Sequence, residues 1–313
     1  ERPVPSGYMH RPLLTKPGAA RKTGGVGRFR ARAAAVLNVS PDHLDYHRSI
    51  GEYAEIKSRV YNFAERRVIN LDDPLVVRMN AAYKKGETIT FSARRRADFF
   101  AERGGLFGGG MRFSRRKLSP ALTAENALAG LALFFALAER PSKTAAAREE
   151  LARVLAEFPG LPHRLRRVDG APFDAIDDSK STNVASACFA LRHTSGDIIL
   201  VAGGDGKGQD FSPLAAACRP MKNRAVKKAL LFGKDARVLS AALRGGGVEC
   251  KIVSDMEEAV GGAAKLARNG GTVLLSPACS SLDMYRDYAA RGDAFAAACR
   301  AIRAGRKGRK HAA

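Results

Sequence analysis

The residues best placed for chemistry fall in three short segments, each following an apolar run. Asp177-Asp178-Ser179-Lys180-Ser181-Thr182-Asn183 joins the run Phe173 to Ile176 to a helical pattern beginning near Thr182. A helix N-terminus beside an ammonium and hydroxyls favours an anion. Arg164, in Leu161-Pro162-His163-Arg164, adds a planar fork suited to carboxylate or phosphate. The competing reading is local: Ser179 or Thr182 caps the helix and Asp178 pairs with Lys180 at the surface. Local sequence weighs the two evenly. Val201-Ala202-Gly203-Gly204-Asp205-Gly206-Lys207-Gly208 brings glycines and a second lysine after another apolar run. It lacks Walker spacing, with Gly208 where Ser or Thr should stand, so a plain strand-to-helix turn is the alternative. Leu275-Ser276-Pro277-Ala278-Cys279-Ser280-Ser281-Leu282-Asp283 is a third such turn, uninformative by itself. Together, three turns after three strands of one sheet would line one edge, with Lys180 and Lys207 ready to hold an acidic ligand.

Two features lie upstream. Asn38-Val39-Ser40-Pro41-Asp42-His43-Leu44-Asp45-Tyr46-His47 holds carboxylates and imidazoles that could bind a metal or trade protons. On spacing alone a solvated polar loop with a capping Asp is the better reading. Lys57 is placed on the apolar side of a helix, between Ile56 and Val60. It is either a snorkelling lysine with its head in water or a shielded one open to modification.

These residues need a scaffold. Ala33 to Val39 is a continuous apolar run of the kind buried on both faces of a sheet. Tyr53, Ile56, Val60, Phe63 and Ala64 predict an amphipathic helix over about 51–65. Further strands are predicted at Arg67 to Asn70, Thr88 to Phe91 and around Gly104 to Phe113. Asp72-Asp73-Pro74 opens one helix, and Thr123 to Ala138 and Lys143 to Phe158 form two more. Pro159-Gly160-Leu161-Pro162 reads as a domain boundary. Beyond it, apolar runs at Phe173 to Ile176, Ile198 to Val201, Ala229 to Phe232, Cys250 to Val253 and Thr272 to Leu275 alternate with helical stretches. The fold class is therefore α/β, with a doubly wound, Rossmann-like second domain. The expected organisation is a basic arm over 1–32, a first domain over 33–160, a second over 161–304 and a basic tail over 305–313.

Composition narrows the function classes. At 313 residues, 45% hydrophobic and 27% charged, the chain can bury two cores. No apolar run reaches the roughly 18 residues that span a bilayer, and the start does not resemble a secretory signal. Cys188, Cys218, Cys250, Cys279 and Cys299 are scattered, without C-x-x-C spacing, and read as reduced thiols of a cytoplasmic protein. The formal charge of +22 would suit a nucleic-acid binder or an enzyme for anionic substrates. Much of it lies in the two ends, which read as solvated, poorly ordered arms, and no nucleic-acid motif accompanies it.

Taken in order, six segments resemble the Mur ligase family, in its D-glutamate-adding branch. They are Leu37 to Asp45, Lys57 to Tyr61, Gly160 to Arg164, Asp178 to Asn183, Gly203 to Lys207 and Leu275 to Asp283. The first domain then corresponds to part of the family's central ATP-binding domain and the second to its amino-acid-binding domain. The resemblance implies ATP-dependent amide ligation: the carboxylate of UDP-N-acetylmuramoyl-L-alanine becomes an acyl phosphate, which the amine of D-glutamate attacks. It implies that His43 ligates magnesium and that Lys57 is carbamylated in support of the metal. Asn126 and Arg164 would contact the nucleotide, with Asp178 near its ribose. Lys180, Thr182, Lys207, Ser281 and Leu282 would receive D-glutamate, with Tyr288 where the family usually has Phe. The expected partners are these two substrates, without membrane or nucleic acid, and the expected state is a monomer.

Residues 1–32 match neither the family's UDP-binding domain nor its phosphate loop, so little turnover is expected of this chain alone. The alternatives, ranked lower, are a non-catalytic degenerate ligase that still binds D-glutamate and a basic nucleic-acid-associated protein.

Overall fold

The computed structural model describes residues 30–41, 47, 49–83, 86–119, 122–138, 144–267 and 270–309, with side chains described through 302. The chain builds two six-stranded sheets, one after the other.

The first sheet has the order β1 (Ala31–Val36), β2 (Ala64–Asn70), β3 (Glu87–Ser92), β4 (Phe99–Glu102), β5 (Gly105–Gly108), β6 (Met111–Ser114). It is parallel from β1 to β4 and antiparallel thereafter. One face is covered by α3 (Ala124–Leu137), whose Leu128, Leu131 and Ala132 pack on Val68 and Phe91. The other carries α1 (Ile50–Ser58) and α2 (Pro74–Ala81) around Ile69 and Val76. α4 (Ala145–Glu157) closes the unit. Arg66, near the start of β2, donates from Nη1 to the carbonyl of Ala136 at the end of α3, 2.6 Å away. α3 therefore runs opposite to the parallel strands, and its N-terminus lies at their carboxyl edge.

Three expectations change here. The helix predicted over 51–65 stops at Ser58, passes through a 3-10 turn at Arg59–Phe63 and becomes β2 at Ala64. Tyr61 is the cause: it is buried, and its hydroxyl accepts from the Val36 amide at the end of β1, fixing the chain against the sheet. The strand predicted to reach Val39 ends at Val36. Side chains take over the next backbone groups, Asn70 Nδ2 donating to the Leu37 carbonyl and Val39 N to Asp73 Oδ2. Ile56 and Val60 are each 37% exposed, so Lys57 does not lie on an apolar face; that face is Ala54, Ser58 and Tyr61.

The second sheet has the order β11 (Cys250–Ile252), β10 (Arg224–Phe232), β9 (Gly196–Gly203), β12 (Thr272–Leu275), β8 (Asp174–Asp177), β7 (Arg166–Arg167). All pairs are parallel except the short β7 with β8. Alternate residues of β9 feed two cores. Ile198, Leu200 and Ala202 face α5 (Val184–His193), α6 (Ser212–Ala217) and α7 (Ala236–Gly245). Ile199 and Val201 face α8 (Met256–Leu266) and α9 (Tyr288–Arg309). This is the doubly wound arrangement expected of strands apolar on both faces. α9 continues to Arg309, so residues 305–309 prolong a helix where an arm without regular structure was expected; the helix already formed and packed through Phe295, Ala298 and Cys299 propagates into them despite Gly305 and Gly308. Among the described residues no helix is long and apolar enough to cross a membrane, and all five cysteines are buried and unpaired.

Candidate active site

β8, β12 and β9 are neighbours and run parallel, so the loops that follow them leave the sheet at one edge. Lys180 and Thr182 follow β8, Ser281 and Leu282 follow β12, and Lys207 follows β9. All share that rim.

The loops are held by close backbone crossings. Gly203, at φ +131, would place a Cβ 1.9 Å from the Phe232 carbonyl oxygen, and Gly204, at φ +127, 2.1 Å from that of Ser280. Only glycine fits such gaps. Gly203 N donates to Pro277 O, and Asp205 and Ser280 exchange backbone hydrogen bonds of 3.0 and 2.8 Å. Lys207 then adopts the left-handed region, φ +52, where its amide reaches Asp205 Oδ1 at 2.9 Å. That bond, and Lys234 beside it, hold the Asp205 carboxyl below its ordinary range. Lys234 Nζ lies 3.0 Å from Asp205 Oδ2, a third lysine on the rim that the sequence did not single out.

Lys180 is half-buried with its Nζ 3.7 Å from the centroid of the Tyr288 ring. Such a contact steadies an ammonium without cancelling its charge. Tyr288 in turn meets the His163 ring edge-on, 6.1 Å between centroids. His163 Nδ1 donates to Asp177 Oδ2 at 2.7 Å, and the His163 carbonyl accepts from the Lys180 amide. Gly292 makes room for this pair, since a Cβ there would fall 2.2 Å from Nδ1. Arg164 is exposed between two residues of positive φ, His163 (+58) and Leu165 (+46). Such backbone costs about 1 kcal/mol or more per residue and persists only where neighbours enforce it.

Asp178 supplies part of that enforcement. The surface pair with Lys180 that the alternative reading offered does not form, because the Asp178 carboxylate is buried. Oδ1 accepts from Leu165 N and Oδ2 from the hydroxyls of Ser181 and Ser276. Burial pushes its pKa up to about 6, against the lowering pull of those bonds. Nor do Ser179 or Thr182 cap α5: the cap is Asn183, accepting from Ser186 N. Thr182 is half-buried; Ser281 is 3% exposed, and Leu282 is 69% exposed.

Beneath the rim lies Arg291, 0% exposed, one turn into α9. Its Nε donates to Ser179 Oγ (3.0 Å) and Nη2 to Ser179 O (2.9 Å); Nη1 donates to Gly203 O (3.3 Å) and Cys279 O (3.1 Å). All four acceptors are neutral oxygens. Desolvation lowers the guanidinium pKa to about 10, which still leaves it charged at neutral pH. The available signal was a basic residue at i−4 from buried Phe295, on the apolar stripe that continues through Ala298 and Cys299.

At the first sheet the candidate residues are looser. His43, with Asp42 and Asp45, lies outside the described residues. Lys57 is half-buried, its Nζ 4.8 Å from the Tyr53 ring one turn earlier, and that ring stacks on His47 at 4.9 Å. Lys57 therefore reaches back toward the Asn38 to His47 loop, as helical side chains do. Asn126 is exposed in the first turn of α3, at the carboxyl edge of the parallel strands. A hollow of about 640 Å³ among Phe100, Phe107, Arg112 and Arg148 is lined by none of the candidate site residues.

The comparisons with known proteins agree with this layout. Residues 18–133 match the Mur ligase middle domain, and residues 163–279 match the Mur ligase glutamate ligase domain. This chain belongs to the Mur ligase family. The first match begins within the stretch set apart above as an arm, at residues outside those described. The chain is 42% identical over 291 residues to the UDP-N-acetylmuramoylalanine--D-glutamate ligase of Nitrosospira multiformis, covering 88% of this chain and 58% of that one. Its identity to the enzyme of the same name from Chromobacterium violaceum is 40% over 286 residues, covering 88% and 60%. The chain thus spans a little under two thirds of these relatives' length. Among solved structures, MurF from Acinetobacter baumannii superposes with a TM-score of 0.61 at 17% identity, over 86% of this chain and 60% of that one. E. coli FolC in complex with ADP gives 0.60 at 15%, over 88% and 63%. These last two show a shared fold.

Proposed function

We propose that this Mur ligase chain carries the nucleotide- and amino-acid-binding parts of a cytoplasmic ATP-dependent ligase that adds D-glutamate to UDP-N-acetylmuramoyl-L-alanine. The product would be a peptidoglycan precursor, formed through an acyl phosphate. The observation that carries the reading is the shared rim, where Lys180 and Lys207 stand in loops braced before any ligand arrives. An acidic amino acid has two carboxylates, and two ammonium groups with the hydroxyls of Thr182 and Ser281 complement them. Leu282, exposed beside Ser281, would cover the ligand's methylenes, and Tyr288 would hold Lys180 in place.

Arg164 and Asn126 would meet the nucleotide, both exposed and both able to donate hydrogen bonds. Asp178 would serve by fixing the Arg164 turn through Leu165 N, since its oxygens are engaged within the protein. His43, the magnesium ligand of the family-based reading, lies outside the described residues; among the described ones no three His, Cys, Asp or Glu side chains gather. The Lys57 ammonium, as it stands over Tyr53, would repel a metal; carbamylation, with His43 as partner, is the family-based reading of its role. The chemistry proposed for the described residues is therefore binding and orientation: presenting the amine and keeping its carboxylates neutralised.

The test is titration calorimetry on the full chain with D-glutamate, L-glutamate and D-glutamine. D-glutamate is expected to bind best, since D-glutamine lacks the second carboxylate and L-glutamate misdirects its amine. Equal binding of all three, or of none, would remove the proposal.

A further inference from the structure

We propose that Arg291 is the positioning residue of the acidic amino-acid site: one buried guanidinium sets the spacing of the three loops that carry Lys180, Lys207 and Ser281. This rests on the function proposed above for the ligand, but the geometry of the clamp stands apart from it.

Each acceptor of Arg291 lies close in sequence to a rim residue. Ser179, bonded at both Oγ and O, adjoins Lys180. Gly203 begins the glycine crossing that leads to Lys207 four residues on. Cys279 precedes Ser281 by two residues. Ser179 Oγ also donates to Tyr288 O, at the start of α9, so the helix that carries Arg291 is tied to the same knot. Its partners are three carbonyls and one hydroxyl, so ion pairing does not account for its burial. What a guanidinium offers is direction, with donors pointing three ways from one rigid plane. A lysine has a single nitrogen and could not reach oxygens on three loops at once. The buried charge, with no bonded carboxylate to cancel it, also makes the region under the rim attractive to a dianion.

The test compares the full-length wild type with Arg291→Lys and Ser179→Ala, by hydrogen–deuterium exchange and by D-glutamate titration. Arg291→Lys keeps a positive charge but loses the fork. Exchange is expected to rise about 10-fold or more at amides of 178–183, 203–209 and 276–287, while central amides of β9 and β10 stay as in the wild type. D-glutamate affinity should fall about 10- to 100-fold, with less loss for Ser179→Ala, whose faster exchange should be confined to 178–183. A purely structural role would instead raise exchange across the sheet along with the loops. Should Arg291→Lys fail to fold, Ser179→Ala alone decides: unchanged exchange at 178–183 overturns the proposal. Unchanged loop exchange in a folded Arg291→Lys protein does the same. If the loops loosen as expected but wild type binds no D-glutamate, the clamp stands and the glutamate reading fails.

Discussion

The two sheets present their carboxyl edges in opposite ways. At the second, the candidate residues sit on loops stitched to one another by glycine crossings, by the buried Asp178 carboxylate and by Arg291. At the first, the described candidates, Lys57 and Asn126, lie partly or wholly in solvent, and no bonded network like that around Arg291 reaches them among the described residues. The difference fits the proposed ligands. A small amino acid offers few atoms, so its site has to be preorganised to bind at all. A nucleotide brings phosphates and a large ring system, and can draw exposed side chains into place.

The sharpest way to break this contrast is Gly204→Val. A side chain there meets Ser280 O at 2.1 Å in a backbone conformation that valine resists. A loss of roughly 4 kcal/mol is expected from urea unfolding of the second unit, combining strain with steric clash. A loss under about 1 kcal/mol would mean the loops are not tightly crossed.

Asp178 gives a subtler probe. Its folded pKa, about 6, stands above the ordinary 3.8. A carboxyl raised on folding favours the folded state at low pH, and that contribution fades as pH climbs from about 4 through 6. The shift corresponds to roughly 3 kcal/mol. Asp178→Asn should therefore gain stability relative to wild type on going from pH 4 to pH 7, by up to that amount. A pH-independent difference in denaturation midpoints would contradict the buried charge.

Tyr61→Phe tests the first unit, where loss of the bond from Val36 N should cost about 1 kcal/mol in thermal melts. No loss would show that this amide finds water instead. Smallest of all, Lys57→Met should change stability by less than about 1 kcal/mol, the worth of an exposed cation–π contact. A larger effect would place Lys57 in a tighter environment than its half-burial suggests.

Much of this was legible in the residues. β12 lies at Thr272–Leu275, where the apolar run placed it, because a strand buried on both faces reads as an unbroken apolar stretch. The shared rim followed from three such strands with turn residues behind them. What escaped depends on tertiary contacts. The helix read through Glu65 ended early because Tyr61 turns inward, a contact no local period announces. β4 (Phe99–Glu102) was missed because it is a four-residue strand with only Phe99 buried. Arg291 was not singled out, because the neutral oxygens that hold it come from segments 12 to 112 residues away. His163 was noted only for its neighbour Arg164, since the Asp177 and Gly292 that orient it act across the fold.

The most direct measurement is backbone NMR of the full chain titrated with D-glutamate. The account predicts that amides of Lys180, Thr182, Lys207 and Ser281 shift together with one affinity, and that Lys207→Met weakens the response of all four about 10-fold or more. Shifts confined to other surfaces, such as the hollow beside Phe100 and Arg112, or an affinity indifferent to Lys207, would contradict it.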